Sequence, residues 1–216
     1  KHTKAIKQMP NSTQKPLATR LTPLGLGLFS LLLGGCEQSI SVTLPFHLTY
    51  HNEIVDCQHF PESLSTLSIQ LKDFRLYLHD IQLQTSDGDW RTLKLDQHTL
   101  WQNESTVLLD FENARGDCKL GNRGLNQQIS GRIAADDYQA VRFKMGVPFE
   151  LNHANPLIAA PPLNQSSMHW HWQAGYKFMR AEFVVNGQPR RLHLGSLHCK
   201  GEIGAISHCE IPNRPE

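Results

Sequence analysis

No stretch of this sequence repeats its apolar residues at helical spacing, and no charge of one sign dominates: the formal net charge is +1 over 216 residues. The first absence leaves strands and turns as the building material. The second argues against a nucleic-acid binder, which carries a basic face, and aromatics without a basic groove do not bind single strands. There is no Gly-x-Ser-x-Gly elbow, no His-Glu-x-x-His and no glycine loop that cradles phosphate. Ser, His and Asp occur, but no spacing pairs them, and Asp110-Phe111-Glu112 reads as a strand end rather than an acid/base pair. The ligand triad of a metal-dependent hydrolase is missing too. None of these catalytic patterns is therefore visible in the spacing. No two cysteines stand two residues apart, which disfavours a four-cysteine zinc site.

Long apolar runs are also scarce. The longest is Leu24 to Leu33, preceded by Lys1, Lys4, Lys7, Lys15 and Arg20. It is too short to span a bilayer and suits the apolar region of an export signal. It runs into Leu33-Gly34-Gly35-Cys36, which is similar to a bacterial lipobox, so Cys36 is expected to carry lipid. Residues 1–35 would be the leader and residues 36–216 one domain, about 180 residues, a suitable size for a single core. Glu37, rather than Asp, follows the cysteine and favours an outer-membrane anchor, with the domain facing the periplasm or the cell surface. The other four cysteines, Cys57, Cys118, Cys199 and Cys209, read as two disulfides in an exported chain. Cys199 and Cys209 flank a short segment and form a local staple, which leaves Cys57 with Cys118.

Alternating apolar residues mark strands at Ile40 to Tyr50, Leu67 to Gln84, Trp90 to Leu95, Thr106 to Phe111, Gln128 to Ile133, Tyr138 to Met145, Tyr176 to Val185 and Arg190 to Leu194. Within Leu67 to Gln84 the apolar phase changes twice, and each change needs a bulge or break. Trp90 to Leu95 is expected to return as a hairpin strand. Asn186-Gly187 is a hairpin signal, because both turn positions need positive φ. The expectation is all-β: an antiparallel β-sandwich, Greek-key-like, with one long Pro-rich loop.

That loop, Gly146 to Phe178, organises the chain. Pro148, Pro156, Pro161 and Pro162 stiffen it, and a long connection of this kind is functional or disordered; its large apolar residues argue against disorder. It concentrates His153, Met168, His169, Trp170, His171 and Trp172. Histidine is the commonest metal ligand. His153 in the loop and His193 on a strand are the leading ligand candidates. Trp170 and Trp172 would share one face of an extended segment. A core role for the two indoles is the plainer alternative.

The stretches FRLYLHDI (74–81), VLLDFE (107–112), GVPF with LNH (146–153), and MHWHWQAGYKF (168–178), with His193-Leu194-Gly195-Ser196 and the four cysteines, resemble the MbnP/CorA-type family, exported copper-binding proteins that form the four-Cys half of a "metallo-mystery pair". The resemblance covers about residues 40–210. It implies a protein that is the substrate of an enzyme rather than an enzyme, with a mononuclear copper site in which His side chains are joined by a Trp that a MauG-like di-haem peroxidase partner has oxidised to kynurenine. The chemistry is sensible: an indole offers only an N–H donor, whereas ring opening yields an aniline nitrogen that can join imidazoles on copper. His153 and His193 fall in matching motifs. Trp170 and Trp172 lead as the modified residue, with Trp101 a third choice. His79, His169 and His171 are further ligand candidates. The alternative function is a structural or adhesion-like sandwich lipoprotein without metal.

Overall fold

The computed structural model describes residues 38–61, 67–97, 100–119 and 121–212. The expected leader 1–35 and the lipidation residue Cys36 lie outside the described residues. Thirteen strands are described: β1 Ser39–Pro45, β2 Thr49–Tyr50, β3 Glu53–Ile54, β4 Ile69–Thr85, β5 Trp90–Thr92, β6 Lys94–Leu95, β7 Thr106–Asp110, β8 Gln128–Ala134, β9 Tyr138–Met145, β10 Lys177–Val185, β11 Gln188–Gly195, β12 Leu197–Glu202 and β13 Ala205–Ile211. All their pairings are antiparallel.

The spine is β4, 17 residues long. Its first half pairs with β10 and its second half with β9. Arg75 and Leu76 are shared by β10 and β7, and residues 82–84 by β9 and β5, so β7 and β5 occupy the opposite edge. Both expected phase changes are present as register shifts, one opposite Glu182/Phe183 and one between His79 and Gln82, where Asp80 takes a φ of 51°. The second sheet has the order β1-β8-β6. The sheets meet through Leu78, Ile81, Leu83, Val107 and Leu109 on one side and Ile129, Ile133 and Leu95 on the other. This is the expected antiparallel sandwich. Each of these side chains contributes roughly 1.5–3 kcal/mol by leaving water.

Trp90 to Leu95 departs from expectation. It divides at Leu93: β5 stays beside β4, while β6 crosses to β8. Leu93 is 3 % exposed and belongs to the shared core, so burying it moves the chain from one sheet to the other.

A second core lies on the outer face of the β4 sheet, where Tyr77, Leu108 and Phe178 meet Val147, Leu163, Met168 and Tyr176. The Pro-rich loop is thus a roof. It explains why all five residues of β7 are buried: the sheet is covered on both faces. Two short helical pieces, α1 Phe149–Asn152 and a 3₁₀ turn Ser166–Met168, punctuate it, features too brief to leave a period in the sequence. The Pro161-Pro162 peptide is cis. Tyr77 Oη donates to the Pro162 carbonyl at 3.0 Å, and Tyr176 Oη to the Leu163 carbonyl.

Both disulfides pair as expected, Cys57 with Cys118 and Cys199 with Cys209. The first sits in a small core with Val55 and Leu71. The second bridges directly opposed residues of the β12–β13 hairpin. At Asn186-Gly187 both φ values are positive, 49° and 75°. Among the described residues no helix is long and apolar enough to cross a membrane.

Candidate metal centre

The loop's histidines are positioned by Asn152, the last residue of α1. Asn152 is fully buried. Its main-chain and side-chain oxygens both accept the Tyr176 N–H, at 3.1 Å each. Its amide nitrogen lies 3.3 Å from Ser196 Oγ. The LNH, GYKF and HLGS stretches therefore converge on one side chain. Gly175 makes the approach possible: a Cβ there would lie 2.3 Å from the Asn152 carbonyl oxygen, and its φ is +76°. Only glycine tolerates both conditions.

Residues 171–175 close a turn, with the Gly175 N–H on the His171 carbonyl at 2.8 Å and the Trp170 N–H on the Gly175 carbonyl at 3.1 Å. The chain turns here, so the extended geometry on which a shared face for the two indoles rested is not present over 171–175. Trp170 is half-buried over Gly195, where a Cβ would fall 2.4 Å from its Cζ3. Trp172 is 37 % exposed. Trp101 is half-buried against the roof core and over Gly124.

His153 follows α1 directly. Its Nδ1 is 3.0 Å from the Trp172 carbonyl oxygen. A carbonyl only accepts, so Nδ1 carries the proton and Nε2 holds the lone pair. Metal-binding histidines are oriented in this way. That Nε2 lies 3.3 Å from Asn152 Nδ2 and 3.8 Å from Cys209 Sγ.

His169, a reserve candidate in the sequence, carries a structural signal of its own. Its Nε2 is buried and makes no hydrogen bond among the described residues. Its ring meets Tyr176 edge-on at 4.9 Å. Burial first, then electrostatic coupling to His171, Lys177 and His153, holds the imidazole below its ordinary range. The ring is therefore neutral near pH 7, with a nitrogen free for a metal. His171 is exposed. Only the orphaned nitrogen separates His169 from its neighbour, and no spacing rule encodes it.

His193 lies across from Arg180 on β11. Its Nε2 is 2.9 Å from Glu182 Oε1, at the end of an ionic row that continues through Arg180 and Asp73 to the buried Arg75. Burial pushes the Glu182 carboxyl up, but Arg180 and His193 outweigh it and hold it below its usual value. Arg75 Nη1 also donates to Ser167 Oγ at 3.0 Å, and Lys177 Nζ to the Ser167 carbonyl at 2.7 Å, so the row ties the roof to the sheet one residue before Met168. His79 is half-buried between Thr106 of β7 and Lys144 of β9. The structure thus joins His153, His169 and His171 electrostatically, and places His193 in the ion row and His79 between two other strands.

Among the described residues, one group of three ligand atoms from His, Cys and carboxylates lies within 4.8 Å: His153, Cys199 and Cys209. The two sulfurs are bonded to each other, so in this state neither is a thiolate. Tyr176 and Tyr77 are poor candidates. Burial pushes the Tyr176 phenol up to about 12 and holds that of Tyr77 well above its ordinary value, so both keep their protons.

Comparison with known proteins returns a consistent result. A family model described as MbnP matches residues 39–216. The solved structure of MbnP from Methylosinus trichosporium superimposes with a TM-score of 0.71 at 27 % identity, covering 82 % of this chain and 70 % of that one. No curated protein matches.

Proposed function

The chain belongs to the MbnP family, and on that premise we propose that it is a non-catalytic copper-binding protein whose ion is held by the Pro-rich roof. His153 and His169 are the two principal ligands, with His193 the third imidazole to be tested. The observation that carries this reading is the buried His169 Nε2 with no hydrogen bond. A buried polar atom in that condition costs about 1–3 kcal/mol, which a bound ion would offset. The oriented lone pair of His153 supports it independently. Imidazole nitrogens suit copper, which when bound would supply an electron-accepting centre at the roof.

The remaining ligand in this reading is the aniline nitrogen of a kynurenine, made from Trp170 or Trp172 by a MauG-like di-haem peroxidase. Trp172 is accessible to such a partner, and its carbonyl orients His153. Trp170 directly follows His169 and rests on Gly195. The protein acts after export, held at the outer membrane by lipid on Cys36, in copper homeostasis or acquisition.

Expression with and without a di-haem peroxidase tests the reading. Conversion exchanges one ring carbon for one oxygen and adds about four mass units, creating the nitrogen donor that indole lacks. The modified peptide should contain Trp170 or Trp172, and copper should bind more tightly to the converted protein. Unmodified peptides with equal copper affinity in both preparations would contradict the Trp part of the reading.

A further inference from the structure

We propose that the Cys199–Cys209 disulfide is a redox gate, and that its reduction makes these two sulfurs and His153 Nε2 a thiolate-rich copper(I) site. The inference deepens the copper reading above, because it uses the same histidine in a second state. Three features carry it. The three ligand atoms already lie within 4.8 Å of one another, and His153 Nε2 is 3.8 Å from Cys209 Sγ. With Nδ1 committed to the Trp172 carbonyl, Nε2 is the accepting nitrogen, and it sits beside Cys209 Sγ with the Asn152 amide nitrogen 3.3 Å away. Finally, the cysteines are held by more than the S–S bond. They are cross-strand partners in the β12–β13 ladder, Gln173 Nε2 donates to the Cys199 carbonyl at 3.0 Å, and Ser196 Oγ donates to the Pro212 carbonyl at 3.1 Å. Breaking the bond leaves these contacts in place.

The two disulfides are unequally placed for reduction. Cys57 and Cys118 are 2 % and 0 % exposed inside their own core. The β12–β13 hairpin is a separate two-stranded sheet, with Ile203 at its turn 75 % exposed and Cys209 only half-buried. A dithiol reductant of the thioredoxin class supplies two electrons and two protons. The S–S bond breaks, two S–H bonds form, and the reductant closes its own disulfide. Copper(I) then displaces both thiol protons to solvent and keeps its oxidation state. Soft thiolates select copper(I) over harder cations. Three ligands suffice for it, whereas a structural zinc site requires four.

The test uses the full chain made without peroxidase. Mild reduction followed by alkylation and peptide mass analysis identifies which disulfide has opened. Anaerobic copper(I) titration against a chromogenic chelator then compares oxidised and reduced protein. The proposal expects Cys199 and Cys209 to open first. It expects at least about tenfold tighter binding after reduction, with a thiolate-to-copper charge-transfer band in the ultraviolet. Alkylating the opened cysteines before adding copper should abolish the band, a control that needs no variant. The C199S/C209S variant should lack the band, and His153→Ala should weaken it. No gain on reduction, or a band that survives alkylation of Cys199 and Cys209, overturns the proposal. Copper binding by the oxidised protein reports on the His153/His169 reading alone, so the two ideas fail separately.

Discussion

The Tyr176 N–H is shared between the backbone oxygen and the side-chain oxygen of the same residue, Asn152, at 3.1 Å each. This bond locks the segment bearing His153 to the turn bearing Trp170 and Trp172. Asn152→Ala keeps the backbone half of it and removes the rest. The expected loss is about 1–3 kcal/mol of stability, read by chemical denaturation, together with weaker copper binding. A variant as stable as the wild type with full affinity would show that Asn152 does not organise the site.

Gly175→Ala should be worse. The left-handed φ and the 2.3 Å approach to the Asn152 carbonyl act together, and strain of this kind costs about 1–3 kcal/mol before any clash is relieved. Thermal unfolding should show a clear drop in midpoint. An unchanged midpoint would mean that the turn is not held as described.

Gly195→Ala probes the floor under Trp170. The new methyl would meet Cζ3 of the indole at 2.4 Å and the Tyr176 carbonyl oxygen at 2.9 Å. The ring has to move, at a cost of about 1–3 kcal/mol. Tryptophan emission should shift to the red as the indole gains water, and peroxidase conversion, if Trp170 is the target, should fall.

The strands were legible because an antiparallel sandwich imposes alternation, and Ser39–Pro45 shows it without interruption. What alternation could not convey is that β4 and β7 are covered twice. Tyr77 and Leu78 are neighbours on opposite faces and both fully buried, a condition created by the roof rather than by either residue. Leu93 likewise leaves one sheet for the other with no turn signal. At the site, proline spacing marked the loop as functional, and the spacing of Trp170 and Trp172 suggested one face of an extended segment; the chain turns at 171–175 instead. His193 attracted notice by its strand position, yet its contact with Glu182 depends on β10 lying beside it. The orphaned nitrogen of His169 is a property of burial, visible only once the roof is in place.

A pH dependence follows from the buried Asp110. Burial, against the pull of Arg75, pushes its carboxyl from 3.8 up to about 7. Between those values the folded protein keeps a proton that the unfolded chain has released. Asp110 therefore makes stability fall as pH rises through that window, with no further change above it. Asp110→Asn should flatten this part of the profile, measured by urea unfolding at about pH 4 and about pH 8. An identical pH difference in wild type and variant would contradict the assignment.

The central claim is that copper sits under the Pro-rich roof on His153 and His169. Copper competition titrations on the oxidised protein and on His153→Ala, His169→Ala and His193→Ala test it most directly, with circular dichroism confirming each fold. The account predicts at least about a hundredfold loss of affinity for His153→Ala and for His169→Ala, since each removes an imidazole ligand suited to copper. Wild-type affinity in a folded His169→Ala protein would contradict it.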